Sequence, residues 1–167
     1  MKNIITGLVF ILFSVVIITL ISVKSIMFNI NCSGHLARAA DANTIELAIN
    51  ELEVALNYME ENNLTNGYTS VIYKTPDEDI GFWYNNIKAS YDELKSIDEN
   101  SSVLEKSNAL LKLRETLLSK GEKSEYVTKP DGISKYPNNA IFLILQWLCG
   151  ISLIIGFLFL MSGVYDL

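Results

Sequence analysis

One histidine, two cysteines and three prolines in 167 residues leave little from which to build a metal or redox centre. A structural zinc site needs four Cys or His ligands, and His35, Cys32 and Cys149 are too few to supply them. A disulfide needs Cα atoms within roughly 7 Å. Cys32 follows one long apolar run and Cys149 lies inside another, so the two are expected at different depths. A basic excess is also missing. Of 19 acidic and 13 basic residues, 18 and 12 fall between Lys24 and Asn139, which leaves that stretch at the chain's net charge of −6. Nucleic-acid binding requires a basic footprint, and an electrostatic grip on anionic headgroups requires clustered Lys and Arg; neither is expected. No internal repeat, low-complexity tract, catalytic motif or cofactor motif stands out, so no cofactor and no resident metal are expected.

Charge is absent altogether from Ile4–Val23 and Ala140–Tyr165. Runs of that length and composition suit helices crossing a bilayer core roughly 30 Å thick, and place one span over 4–24 and a second over 140–165. The first run exceeds a signal-peptide h-region, and Ile21–Phe28 offers no small-x-small cleavage site, so it reads as a retained anchor. The lack of ionisable groups argues against a proton relay or ion pathway within the spans. Small residues repeat at seven-residue spacing, Gly7 and Ser14 in the first run and Cys149, Gly156 and Gly163 in the second, with Ser152 one turn from Gly156. Such stripes let helix backbones approach closely in lipid, so they are expected to face each other or a partner's helices. Gln146, beside Trp147, carries a side-chain amide that favours protein over lipid as its neighbour.

Residues 25–138 read as a soluble helical domain. Asn29–Gly34 is expected to break the chain, with Ser33 as a cap. A helix over 35–61 follows, its stripe of Ile45, Ala48, Leu52, Ala55 and Met59 recurring at three- and four-residue steps, and Asn62–Gly67 ends it with turn formers. Tyr68–Lys74 reads as extended, with only Tyr126–Thr128 as a strand partner. Thr75-Pro76-Asp77-Glu78 forms a capping box for a helix over 76–97 with Ile80, Trp83, Ile87, Tyr91 and Leu94 inward. Ser102–Glu105 forms a second box, opening a helix over 102–119 with Leu110, Leu113 and Leu117 inward and Gly121 ending it. An irregular return over 120–138, from which Glu122 onward carries two proline turns, brings the chain back. The expected fold is therefore an all-α membrane protein, two transmembrane helices flanking a three-helix antiparallel bundle.

Three groups of side chains carry the functional expectations. His35, Arg38 and Asp41 share one side of the long helix, and the three-residue spacing of Arg38 and Asp41 lets them pair. They form a polar site for a ligand or a partner's carboxylate; a catalytic role has no nucleophile in any recognised arrangement to support it. Phe82, Trp83 and Tyr84 lie in the densest aromatic stretch, where Trp83 fits the inward stripe and all three are candidates for a partner-binding patch. Asp77, Glu78 and Asp79 beside it lack the spaced ligands and glycine of a calcium loop, and complement a helix start. Asn31, Asn63 and Asn100 each begin an Asn-x-Ser/Thr sequon, which matters only in a eukaryotic secretory route.

The layout resembles the helical sensing modules set between paired membrane spans in bacterial chemoreceptors and sensor kinases. That resemblance implies a helical bundle held outside the membrane. Only Asp166 and Leu167 follow Tyr165 here, so no kinase, linker or methylated helix is expected to carry a signal onward. The short basic start and the acidic domain suit a cell-membrane protein with both termini cytoplasmic and the domain outside. The function expected is that of a non-enzymatic two-pass subunit whose bundle binds a membrane or extracytoplasmic protein, or a second copy of itself. A small-ligand receptor with a pocket near His35 and Arg38 is the alternative.

Overall fold

The computed structural model of the chain describes residues 1–98, 100–121 and 124–165. Glu122 and Lys123 in the expected return, and Asp166 and Leu167 at the end, lie outside the described residues. The described chain is mostly helical. Six α-helices run over Lys2–Phe28 (α1), Gly34–Ala40 (α2), Ile45–Glu61 (α3), Ile80–Ser96 (α4), Val103–Leu117 (α5) and Asn139–Tyr165 (α6). One small hairpin pairs Leu118–Lys120 (β1) with Glu125–Val127 (β2). The chain divides into two compact units, one formed by Met1–Ile26 with Pro137 onward and the other by Met27–Tyr136.

In the first unit, α1 and α6 are long and apolar enough to cross a membrane. Each has 27 residues, about 40 Å at the α-helical rise. They pack antiparallel, because Gly7 meets Gly156 while Ser14 meets Cys149.

The second unit holds a core of Leu36, Leu52, Met59, Ile80, Ile87, Leu113 and Leu117. Its helix boundaries differ from those expected. The chain does not break at Asn29–Gly34: Asn29–Ser33 forms a π-helical turn leading directly into α2, and Ser33 has helical dihedrals and makes no cap. Cys32 and Ser33 are buried there, and the Ser33 hydroxyl accepts from Lys129 Nζ at 3.3 Å. Gly34 permits the π-turn, since a Cβ would lie 2.8 Å from the Asn29 carbonyl oxygen. The break comes later, and the expected 35–61 helix is two helices. Thr44 is extended and its side chain accepts from Leu47 N at 3.3 Å, starting α3 afresh. The α3 stripe began at Ile45 because that is where the helix begins.

α3 ends in a Schellman motif, with Asn63 left-handed at φ 57°. Leu64 N donates to Met59 O and Asn63 N to Glu60 O, and Leu64 and Met59 are both buried. The Thr75–Glu78 box does not open an α-helix. Thr75 and Glu78 hydrogen-bond through their side chains at 2.6 Å and close a 3-10 turn over Pro76–Glu78. Asp79 is the cap of α4, accepting from Phe82 N at 3.0 Å. Ser102 does cap α5, accepting from Glu105 N at 3.2 Å. Gly121 does not end that helix. The chain leaves α5 at Leu118 into β1, and Gly121 N donates to Ser124 O in the hairpin connection. Glu125–Val127 therefore pairs with Leu118–Lys120 rather than with Tyr68–Lys74. Ile133, in a short 3-10 turn, inserts into the core from what the sequence left as an irregular return.

Candidate functional site

Two of the three polar candidates, His35 and Arg38, converge on a residue that periodicity did not single out. Glu51 lies on the flank of the α3 stripe between Ala48 and Ala55, and its side chain is largely buried. One carboxylate oxygen sits 2.6 Å from His35 Nδ1, and the other 2.6 Å from Arg38 Nη2. Both partners come from α2, so Glu51 ties α2 to α3. The signal that could have found it is a carboxylate one turn from Ala48 and Ala55 on the inward flank, where burial demands a cation. Arg38 and Asp41 do not pair. Asp41 falls past the end of α2, with φ −93° and ψ 1°, and turns to Arg114 of α5. Arg114 also pairs with Glu125 of β2 and donates to Ala40 O, joining three elements through one guanidinium. Those hydrogen bonds, to Asp41 first and then Glu125, raise its already high pKa further.

The aromatic stretch splits by helical phase. Trp83 and Tyr84 are buried, whereas Phe82 points outward. The Trp83 indole donates to Thr128 O at 2.7 Å, and the Tyr84 hydroxyl donates to Glu60 at 2.7 Å. Burial and then the Glu60 carboxylate push the Tyr84 phenol up to about 12. The buried Cys32 thiol is likewise pushed up to about 12 by desolvation, which the charge of Lys129 partly opposes. A thiol held protonated in this way is a poor nucleophile.

In the first unit the small residues form one seam. A Cβ on Gly7 would lie 2.7 Å from Gly156 O, one on Gly156 3.0 Å from Gly7 O, and one on Gly163 2.5 Å from an Ile4 methylene carbon. Ser14 Oγ lies 3.1 Å from Phe10 O in its own helix and 3.3 Å from Cys149 O across the seam. Ser152 Oγ donates back to Phe10 O at 3.0 Å. Phe10 and Phe159 stack beside them with centroids 6.3 Å apart. Gln146 and Trp147 lie on the exposed side of α6.

Two surface features of the second unit escaped the sequence reading. A groove of about 740 Å³ runs between α3, α4 and α5, floored by Ile45, Ile49, Leu94 and Ile97 and edged by Lys95 and Asp98. His35 and Arg38 are not among its lining residues. The other is the loop before α4, where Ile72 and Tyr73 are 75% and 76% exposed. Among the described residues no cluster of His, Cys, Asp or Glu is arranged to hold a metal ion.

Comparison with family models, with curated proteins and with solved structures finds no match to this chain.

Proposed function

We propose that this is a non-enzymatic, two-pass membrane protein whose helical unit binds a protein partner as an accessory or scaffold subunit. Two features support a membrane setting for α1 and α6. Both helices are apolar on nearly every face, as a lipid-exposed span requires. Their mutual contact uses glycine approach and hydroxyl-to-carbonyl hydrogen bonds, which drive association where lipid removes the hydrophobic term. Two spans put both ends of the chain on one side of the bilayer and the helical unit, an antiparallel bundle at its centre, on the other. We place the ends in the cytoplasm and the acidic unit outside.

The observation that carries the partner-binding reading is the distribution of polar and apolar groups on the helical unit. His35, Arg38 and Asp41 are committed to Glu51 and Arg114 within the fold, which leaves little charge there to capture a ligand. Large apolar side chains, among them Ile72, Tyr73, Phe82 and Leu104, face outward instead. Val71, Ile72 and Tyr73 are consecutive and all exposed, and contiguous exposed apolar residues mark association surfaces. Purification of the full chain from gently solubilised membranes, with crosslinking and mass spectrometry, tests the reading. A stoichiometric protein partner is the expected result. A chain that remains alone in several detergents and in lipid nanodiscs overturns it.

A further inference from the structure

The loop between α3 and α4 is braced by hydrogen bonds and apolar at its exposed tip. Its neck is closed by backbone hydrogen bonds: Thr69 N donates to Glu78 O at 3.1 Å and Ile80 N to Gly67 O at 3.0 Å, and Tyr68 bridges Asp79. Gly67 is held at φ 98°, where a Cβ would collide with the Tyr136 hydroxyl, so the return segment packs closely against the neck. Within the loop, Tyr73 N donates to Ser70 Oγ at 3.1 Å, Thr75 binds Glu78, and Lys74 lies over the Tyr68 ring. The loop is thus internally braced, yet Val71, Ile72 and Tyr73 stand in solvent at its tip. A flexible loop of this composition would fold its apolar tip back onto the protein; bracing it outward spends ordering entropy in advance. Phe82, 65% exposed, lies in the first turn of the helix that the loop leads into.

We propose that Val71–Tyr73 is the docking element of the helical unit, and that it enters an apolar cleft rimmed by Lys or Arg on a different protein. The inference rests on the partner-binding reading and names its surface. The charge on the loop decides the chemistry of the partner. Asp77, Glu78 and Asp79 follow the tip against a single Lys74, and Asp77 is exposed. Those carboxylates complement a basic rim and speed association with it. They oppose anionic lipid headgroups, whose negative potential would repel the tip. The unit's overall acidity also disfavours a second copy of the chain as occupant.

The test places a photo-crosslinking side chain at Ile72 of the full-length protein in its native membranes, with matched probes at Leu104 and Leu111 on the outer face of α5. One protein adduct at residue 72 is expected. That protein, purified, should bind the full chain in detergent and bind less tightly as salt rises. Ile72→Ser with Tyr73→Ser, or Asp77→Lys alone, should weaken binding about tenfold or more, the scale of an interface anchor. These substitutions change exposed side chains, so unchanged far-ultraviolet circular dichroism checks the fold. Lipid adducts alone at residue 72, or adducts to a second copy of the chain, overturn the inference. A protein adduct at Leu104 or Leu111 with residue 72 silent also overturns it but leaves the partner-binding reading standing. No protein adduct at any of the three probes overturns the inference, and a chain that also purifies alone overturns the partner-binding reading with it.

Discussion

Glu51 shows how one side chain can organise a cluster and still be missed by periodicity. Its carboxylate answers two side chains of α2, of which Arg38 is mostly exposed and His35 is not. Removing the carboxylate and removing its exposed partner should therefore have unequal effects. Glu51→Ala leaves a half-buried imidazole without its acceptor and should lower unfolding stability by about 2 kcal/mol. Arg38→Ala removes an exposed member and should cost less than about 1 kcal/mol. Denaturant unfolding in detergent measures both; equal losses would mean that Glu51 is not the centre of the group. The three-residue spacing of His35 and Arg38 made their shared helical face legible, whereas Asp41 leaves it past the end of α2. Their partners were not legible, because Glu51 and Arg114 come from other helices and only packing brings them together.

Two raised pKa values make a prediction at the same scale. Cys32 and Tyr84 ionise near 9.0 and 10.0 when unperturbed and near 12 in the fold. Between those values the unfolded chain loses protons that the folded chain keeps, so stability falls as pH rises. The contribution is fully present below pH 9, declines first through Cys32 and then through Tyr84, and is lost by about pH 12. Tyr84→Phe should flatten the decline above pH 10 in a pH series of denaturant unfolding, leaving the Cys32 step in place. The Cys32 thiol should also resist maleimide at pH 8 until the protein is unfolded, which mass spectrometry reads directly.

At the scale of the element, caps and glycines make separable predictions. Asp79 caps α4 whereas Thr75 closes only the turn before it. Asp79→Ala should cost about 1 kcal/mol and Thr75→Ala less, by the same unfolding measurement. The capping-box spacing was readable, but Thr75 and Asp79 both precede apolar residues in phase with α4. Local sequence does not choose between two caps four residues apart; the bridge from Tyr68 to Asp79 does. In α6, Gly156 faces Gly7 at close range while Gly150 has open space where a Cβ would stand. Gly156→Leu should lower the melting temperature in detergent micelles by several degrees, and Gly150→Leu should leave it nearly unchanged. Equal effects would show that glycine loosens the helix itself rather than fitting the seam.

At the scale of the molecule, the two units divide the determinants of structure between them. The helices of the first unit follow from composition alone: two charge-free runs, each long enough to span a bilayer, and a seven-residue repeat of small residues. Helical phase carries that repeat to one face, where Gly7, Ser14, Cys149, Ser152, Gly156 and Gly163 meet. The helices of the second unit were likewise readable wherever a 3.6-residue stripe met a capping residue, as at Ser102 and in α3 from Ile45 onward. Other features depended on contacts distant in sequence. The continuation of the chain through Asn29–Ser33 is supported by burial of Cys32 and Ser33 against Lys129. The hairpin after α5 needs Glu125–Val127 to turn back on Leu118, a choice made by Trp83 and Arg114 reaching the second strand and its end. The outward Ile72 and Tyr73 looked like an ordinary extended segment until the neck hydrogen bonds fixed which way they point. The sequence by itself determined where most of the helices lie and which of their faces are apolar, because those properties rest largely on interactions within a few residues. Only the tertiary structure decided where charges pair and which apolar groups remain outside, because those outcomes depend on which distant segments compete for the same buried space.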